Sequence, residues 1–204
     1  MYGLVCAEDG GPLDDLLLYK SSDEDVCVVA NASNCATVLA WLNDHVGSHD
    51  VTITDRSDEL AMLALQGPRS QDALQPLVEG KDLGEIGYYK FAFATVCGIP
   101  DVRISRTGYT GEDGFEIYFP CAESVRVWNA LLEAGADPQA AGKAGATPLH
   151  IAAAMGHEEA ARRLLKHDST LVDHPHAFAK CSALHFAAEM GHVPVVAALV
   201  STNS

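Results

Sequence analysis

The sequence predicts an α+β fold with an antiparallel sheet over residues 1–135, followed by an all-α repeat segment over residues 136–204. In the first segment, short apolar runs alternate with turn signals such as EDGG and SSDED, which is typical of strands joined by hairpins. The second segment contains an internal repeat, because GATPLHIAAAMGHEEAARRLL returns as KCSALHFAAEMGHVPVVAALV at an offset of 35 residues. The acidic residues concentrate in the first segment, with 22 of the 28 in residues 1–133. We therefore expect two units of different architecture.

The spacing of apolar residues predicts the element order βββαββαβββα in the first segment. Alternation indicates a strand, and spacing by three or four residues indicates a helix. In the last of these helices, Val125, Trp128 and Leu132 are expected to share one apolar face. The expected strands are 2–6, 13–19, 26–30, 51–56, 60–66, 89–96, 101–107 and 114–119, and the expected helices are 35–46, 69–79 and 124–134.

Composition excludes several classes of function. The net charge of −15 disfavours binding to nucleic acid or to an anionic membrane surface. No run of 18 apolar residues predicts a membrane helix, and Met1 is not followed by the regions of a secretory signal. The six cysteines form no CxxC pair, so we expect reduced thiols. These features predict an intracellular soluble protein.

The 35-residue period predicts stacked helix-turn-helix units. TPLHIAA, the following GH dipeptide and the preceding LLEAGADPQAAGKAG resemble ankyrin repeats over residues 130–204. The resemblance implies that Thr147 and Pro148 begin a helix and that His150 links neighbouring loops by hydrogen bonds. Gly156 would end that helix in a left-handed conformation. The resemblance also implies a protein-binding surface for a partner that is unknown.

Seven of the nine histidines lie in the repeat segment, which raises the alternative of a metal site. Cys181 and His185 are four residues apart and would share one face of a helix. The repeat offers a simpler explanation, since His150 and His185 occupy equivalent positions in it. His157 and His192 form a second equivalent pair. We therefore expect structural histidines and no metal.

Four motifs follow one another in the first segment: GGPLDDLLLYK, VVANASN, LALQGP at 63–68 and RTGYTGEDGFEIYFP at 106–120. Together they resemble the aminomethyltransferase of the glycine cleavage system, the T-protein, over residues 1–135. The resemblance implies a folate-binding domain that uses tetrahydrofolate and works with the lipoyl-carrying H-protein in glycine catabolism. The implied reaction moves a one-carbon unit from the aminomethyl-lipoyl arm to tetrahydrofolate and releases ammonia.

The paired aspartates are the candidate catalytic residues. Side chains alternate along a strand, so Asp15, Leu17 and Tyr19 share one face while Asp14 belongs to the other. Only one aspartate can then face a pocket with Tyr19. The family resemblance implies that Asp15 is the catalytic carboxylate, which orients the pterin and assists proton movement. It also implies that these residues line the folate pocket: Tyr2, Leu17, Tyr19, Asn31, Tyr88 and Glu116.

Each residue also has an interpretation that involves no folate. Asp14 and Asp15 would then solvate the exit of a turn, and Tyr88 would be a core aromatic residue. The GYTGEDG motif predicts a tight loop with positive φ angles and with Asp113 as its polar tip. The glycines expected to need this conformation are Gly108, Gly111 and Gly114.

The resemblance covers only part of a T-protein. Segments of the DVSHM and GLGARD types have no counterpart in this sequence, and the junction between the two units is expected at 134–137. We therefore expect impaired catalysis. The alternative is a non-catalytic ankyrin interaction module that carries a T-protein remnant. In eukaryotes the family is mitochondrial, although this sequence shows no transit-peptide pattern.

Overall fold

A computed structural model describes residues 1–108, 110–141 and 145–202 of the protein. The chain divides into two compact units, Met1–Ala61 and Met62–Ser204. The first unit contains a three-stranded sheet. The second contains a five-stranded sheet and the helices of the repeat segment. Along the described residues, no helix combines the length and the apolar character needed to span a bilayer.

The secondary structure confirms the α+β class. The strands are β1 (Tyr2–Cys6), β2 (Pro12–Lys20), β3 (Val26–Val29), β4 (Leu60–Gln66), β5 (Val78–Glu79), β6 (Phe91–Val96), β7 (Ile99–Ser105) and β8 (Gly114–Pro120). The α-helices are α1 (Cys35–His45), α2 (Ser70–Leu74), α3 (Ser124–Glu133), α4 (Pro148–Ala154), α5 (Glu158–His167), α6 (Ala183–Glu189) and α7 (Val193–Thr202). Short 3₁₀ helices cover Ala32–Asn34, Gln75–Leu77, Leu83–Glu85, Cys121–Glu123 and Ser169–Asp173.

The first sheet is an antiparallel meander in the order β1-β2-β3, as the turn signals predict. Tyr2 lies opposite Leu17, and Leu4 lies opposite Asp15. Directly opposite residues of antiparallel strands place their side chains on the same face. One face of this sheet therefore includes Tyr2, Asp15, Leu17 and Tyr19.

The second sheet has the order β4-β8-β7-β6-β5, with antiparallel pairing from β5 to β8. Helix α3 is buried through Val127 and Leu131. Val125, Trp128 and Leu132 have the spacing of one helix face, but Val125 on that face is 42% exposed. The helix has two apolar stripes, and Trp128 packs against the core of the repeat helices.

Two predicted elements of the first segment are also wrong. Residues 51–56 pair with no strand in the described part of the chain and remain irregular. Strand propensity is realised only when a neighbouring strand is available. The helix predicted over 69–79 ends at Leu74, where a short 3₁₀ turn over Gln75–Leu77, with Pro76 at its second position, leads into β5. The observed order is therefore βββαβαββββα.

The repeat is visible as two helix pairs, since α4 and α6 begin 35 residues apart and so do α5 and α7. Their buried side chains form one cluster that includes Leu149, Leu164 and Leu199. Thr147 is the N-cap and Pro148 the first residue of α4, as predicted. Gly156 has the predicted left-handed conformation, with φ of 75°.

Candidate functional site

Asp14 is a buried carboxylate at the centre of a hydrogen-bond network. It is 5% exposed. Its Oδ2 accepts from the backbone N–H of Asn31 (2.9 Å), and its Oδ1 accepts from Asn31 Nδ2 (2.8 Å) and from Asn34 Nδ2 (2.8 Å). Burial works to raise the pKa of the Asp14 carboxyl, but these hydrogen bonds outweigh it and hold the pKa below its ordinary value of 3.8. Asp14 is therefore an ionised anchor inside the unit.

Asp15 is the more accessible of the two aspartates. The hydroxyl of Tyr2 donates to Asp15 Oδ2. Asn31 Nδ2 lies 3.1 Å from Asp15 Oδ1 and 2.9 Å from the Asp15 backbone oxygen. The carboxylate is thus held at both oxygens, while Leu17 and Tyr19 on the same face are buried.

The asparagines reach this site because of the local backbone. Asn31 directly precedes the 3₁₀ helix Ala32–Asn34, and Asn34 ends it. Side chains three residues apart stack on the same side of such a helix. Both amides consequently approach Asp14 from one direction.

Glu116 is buried in the second unit, with 2% of its surface exposed. The hydroxyl of Tyr118 donates to Glu116 Oε2 at 2.7 Å. Ser105 lies directly opposite Glu116 on β7. Its Oγ is buried and has no hydrogen-bond partner among the described residues. This part of the sheet therefore combines a buried acceptor with an unsatisfied donor.

Tyr88 is not a core aromatic residue, because it is 63% exposed. Its ring meets that of Tyr89 edge to face, with the centroids 4.5 Å apart. The hydrogen bond with Tyr88 raises the pKa of the Tyr89 phenol, and partial desolvation and the charges of Tyr88 and Glu116 act in the same direction. Tyr88 therefore presents an accessible aromatic surface.

The loop after β7 is fixed by an ion pair. Arg106 binds Asp113 through Nε to Oδ1 (2.8 Å) and Nη2 to Oδ2 (2.5 Å). Arg106 Nη1 also donates to the Ile86 oxygen at 3.2 Å. The hydrogen bond from Arg106 lowers the pKa of the Asp113 carboxyl and, reciprocally, the pKa of the guanidinium is raised. Asp113 is thus a paired anchor, and the prediction of a polar tip is wrong.

The glycines of this loop serve two different purposes. Gly111 has a positive φ of 70°, as predicted, whereas Gly108 and Gly114 do not. A Cβ at either of those two positions would collide with the side chain of Gln66. Gln66 Nε2 donates to the Thr107 oxygen at 3.1 Å. These two glycines therefore accommodate the close approach of the Gln66 amide, and a positive φ is not the reason for them.

The comparison with protein families gives a match to the GCVT N-terminal domain over residues 1–176. The chain belongs to the GCVT N-terminal domain family. An ankyrin repeat also matches, over residues 180–204. The ankyrin resemblance predicted over residues 130–204 is therefore matched for a single repeat at its end.

Several curated relatives of this GCVT-domain chain are aminomethyltransferases. The protein from Herpetosiphon aurantiacus is 49% identical over 137 residues, which are 67% of this chain and 37% of that protein. A relative from Clostridium botulinum is 42% identical over 153 residues, 75% of this chain and 40% of that protein. A solved structure of heterotetrameric sarcosine oxidase from Corynebacterium sp. U-96 has a TM-score of 0.48 and 22% identity, over 59% of this chain and 58% of that chain.

The predicted site residues of this GCVT-domain chain fall in two groups. The first unit brings together Tyr2, Asp15 and Asn31 by hydrogen bonds, with Leu17 and Tyr19 on the same sheet face. The second unit holds Tyr88 and Glu116. Their contacts with folate stay predictions.

Sequence reasoning missed Asp14 and Asn34. Asp14 was assigned to the face away from the pocket, yet its carboxylate shares the Asn31 amide with Asp15. Asn34 belongs to the VVANASN motif, and its spacing of three residues from Asn31 is the signal that would have found it. A 3₁₀ turn at that point is needed to see the relation.

The histidines of the repeat have structural contacts. His150 is 2% exposed, and its Nδ1 accepts from the backbone N–H of Thr147 at 3.2 Å. His150 Nε2 lies 3.4 Å from the Cys181 oxygen, so this residue links neighbouring loops as predicted. Within the described ranges, no group of three or more His, Cys, Asp or Glu side chains is arranged to hold a metal ion.

Proposed function

We propose that the chain is the tetrahydrofolate-binding part of an aminomethyltransferase of the glycine cleavage type. Tetrahydrofolate would take the one-carbon unit from the aminomethyl group on the lipoyl arm of H-protein, and ammonia and the dihydrolipoyl arm would leave. The family match and the aminomethyltransferase relatives support this proposal. The chain spans 37% to 40% of those two relatives, so the complete reaction and the H-protein partner belong to the proposal too.

The observation that carries the proposal is the arrangement around Asp15. Its carboxylate is partly exposed and is held by the Tyr2 hydroxyl and the Asn31 amide. A carboxylate with a fixed orientation can accept a hydrogen bond from a nearby amine and move its proton. In the proposed reaction, Asp15 is the catalytic residue, while Tyr2 and Asn31 fix the direction of its oxygens.

The residues around Glu116 fit the polar edge of a pterin. The Glu116 carboxylate offers acceptors for amino and ring N–H groups, and the buried Ser105 Oγ offers a donor. A buried hydroxyl without a partner is unfavourable until a ligand satisfies it. Tyr88 adds an exposed ring on which a flat ligand can stack. When bound, tetrahydrofolate supplies the nucleophilic nitrogens that receive the one-carbon unit.

Calorimetric titration of the full chain with tetrahydrofolate tests the proposal. We expect wild-type binding and about tenfold weaker binding by Glu116→Gln, which keeps the size of the buried side chain but loses a charge-assisted acceptor. Asp15→Asn is expected to lower the rate of one-carbon transfer about 100-fold, with a smaller effect on binding.

Asp55→Asn is the matched control, because Asp55 is an exposed aspartate whose hydrogen bonds with the described residues are local ones from Ser57. It should bind tetrahydrofolate like the wild type. A wild-type chain that shows no binding at millimolar ligand would refute the proposed function.

A second candidate function is protein binding by the helix pairs of residues 136–204. The observation that favours it is the exposure of large apolar side chains on α4 and directly after α4 and α6: Ile151 is 50%, Met155 60% and Met190 58% exposed. Cross-linking of the full chain in extracts of its source organism tests this candidate. We expect a specific product with the wild type that is lost in Met155→Glu, and the same products from both chains would contradict it.

A further inference from the structure

We propose that Asp14 and Asn34 are positioning residues that hold the Asn31 amide in the orientation needed by Asp15. The inference rests on the proposed function, in which Asp15 is the catalytic carboxylate. The Asp14 side chain accepts a hydrogen bond from the Asn31 amide, and the Asn34 amide donates to Asp14, so both residues act on the Asp15 carboxylate through Asn31.

Asn31 is the link between the two aspartates. Its Nδ2 group has two hydrogens and lies 2.8 Å from Asp14 Oδ1, 2.9 Å from the Asp15 backbone oxygen and 3.1 Å from Asp15 Oδ1. A side-chain amide can also turn over and present its oxygen. Facing Asp14 and Asp15, that oxygen would meet only acceptors. The Asp14 carboxylate therefore acts together with the two Asp15 oxygens to select the orientation in which the positive end of the amide faces Asp15.

Asp14 can do this because it is itself held firmly. The backbone N–H of Asn31 donates to its other oxygen at 2.9 Å, so the two residues are joined at two points. Two bonds fix the plane of the carboxylate more strictly than one bond does. The buried charge is also stabilised by these donors, as a buried carboxylate must be.

Asn34 completes the anchor. Its Nδ2 donates to Asp14 Oδ1 at 2.8 Å, the same oxygen that Asn31 uses. Asn34 stands at the N-cap of α1, a position where asparagine often bonds the first turn, yet the described residues show no side-chain cap at α1. Its hydrogen-bonding capacity is directed to the carboxylate instead.

The amide between the aspartates also moderates their repulsion. Two carboxylates adjacent in the chain repel each other when both are ionised. The Nδ2 hydrogens of Asn31 lie between them and bond to both. Loss of the anchor would leave Asp15 with Tyr2 as its remaining oriented donor among these contacts.

The first test follows the side-chain amide of Asn31 by ¹H–¹⁵N NMR of the full chain. In Asn34→Ala, and in the isosteric Asn34→Asp that has no amide donor, we expect its Nδ2 resonances to shift and its hydrogens to exchange with water about tenfold faster. Asp14→Asn should have a larger effect of the same kind. Unchanged Asn31 resonances in both Asn34 variants would overturn the proposal, whether or not Asp14→Asn folds.

Asn43→Ala is the matched control. Asn43 lies on the same helix, and its Nδ2 donates to the Leu39 oxygen at 2.9 Å, away from both carboxylates. It should leave the Asn31 amide unchanged. An equal response in Asn43→Ala would mean that the Asn31 amide reports general loosening of α1, and this would overturn the positioning role.

The second test measures tetrahydrofolate binding by the same chains. We expect Asn34→Ala and Asn34→Asp to bind about fivefold more weakly than wild type and Asn43→Ala to bind equally. If wild type binds and both Asn34 variants bind equally well, the proposed function stands and the positioning role is overturned. If wild type does not bind, the proposed function fails, and the Asn31 resonances alone decide whether Asp14 and Asn34 orient the amide.

Discussion

Two loops of the second unit are held in place by opposite kinds of chemistry. The loop at 106–114 is tied by the charged pair of Arg106 and Asp113. The start of α4 is tied by His150, whose Nδ1 accepts from the Thr147 backbone and lies 2.8 Å from its hydroxyl oxygen. An imidazole that accepts a backbone N–H at Nδ1 is neutral, with its hydrogen on Nε2. The contact of Arg106 with Asp113 therefore requires two charged groups, whereas the contact at the start of α4 requires a neutral imidazole.

The difference predicts different responses to acid. Burial lowers the pKa of His150 below its ordinary value of 6.5 and outweighs the hydrogen bond with the Cys181 oxygen, which works to raise it; the charges of His176 and His174 add smaller downward effects. The stability contributed by neutral His150 is thus complete above pH 6.5 and declines as the pH falls toward the folded-state pKa. The pKa of Asp113 is held below its ordinary value of 3.8, so its contribution persists until the pH falls below that range. The repeat helices should loosen first.

The largest expected effect comes from a substitution that removes a histidine contact among the repeat helices. Gly156 has a φ of 75°, and a Cβ there would lie 2.7 Å from His192 Nδ1. We expect Gly156→Ala to lower the free energy of unfolding by about 3 kcal/mol, through backbone strain and through displacement of His192 from the Ala154 oxygen. Urea denaturation followed by circular dichroism measures this change.

Gly191 supplies the control at the equivalent position of the next helix pair. Its φ is 74°, but a Cβ there would meet nothing within 4 Å. Gly191→Ala should therefore cost only the strain, about 1 kcal/mol. Equal losses in the two variants would show that the His192 contact contributes nothing.

The next largest effect is expected from a substitution in the ion pair of Arg106 and Asp113. Arg106→Lys keeps the charge but loses the two-pronged contact with Asp113 and the bond to the Ile86 oxygen. Because the Asp113 side chain is 40% exposed, solvent screening reduces the expected loss to about 2 kcal/mol. Hydrogen exchange of amides in residues 106–114 measures it. Arg126→Lys is the control, since the ion pair of Arg126 with Glu123 is long, at 3.5 Å. Full protection of the loop in Arg106→Lys would contradict the prediction.

A pH series then compares the loops directly. As the pH falls from 7 to 5, we expect amides of α4 to lose exchange protection while amides of residues 106–114 keep theirs, after correction for intrinsic exchange rates. His150→Asn keeps an acceptor near the Nδ1 position without a titrating ring, so it should reduce this loss. His49→Asn, which removes an exposed histidine in the first unit, is the control. Parallel loss of protection in both loops would refute the distinction.

The smallest expected effect concerns an exposed ion pair on α5. Arg162 pairs with Glu158 at 2.8 Å along α5, and both side chains are more than 40% exposed. Solvent screens such pairs, so Arg162→Gln should change the free energy of unfolding by less than about 0.5 kcal/mol. Thermal unfolding at low and at high salt measures it. A change as large as that of Arg106→Lys would show that exposure does not separate the two ion pairs.

Much of the fold was predictable because it depends on neighbouring residues. The meander of β1, β2 and β3 follows from alternation and turn residues, and the end of α4 follows from Gly156. Residues 51–56 have the composition of a strand but find no partner among the described residues. Pairing is a property of two segments, so one segment cannot reveal it.

The candidate site was predictable only in part. Motifs identified Asp15, Asn31 and Glu116, and alternation placed Asp15 on the face of Tyr19. Alternation also assigned Asp14 to the opposite face. It gives the direction in which a side chain leaves the strand, but it does not show that the Asn31 amide from a following turn bonds to Asp14.

The sequence by itself determined the α+β class, the helical repeat with its caps, and the motifs of the GCVT family, because these depend on residue types within a few positions of one another. Only the tertiary structure decided that the Gln66 amide lies against Gly108 and Gly114, that α3 is buried through Val127, and that one amide joins two aspartates. These contacts join residues far apart in the chain or on opposite faces of a strand. Local preference cannot specify them, because they exist only after the elements pack.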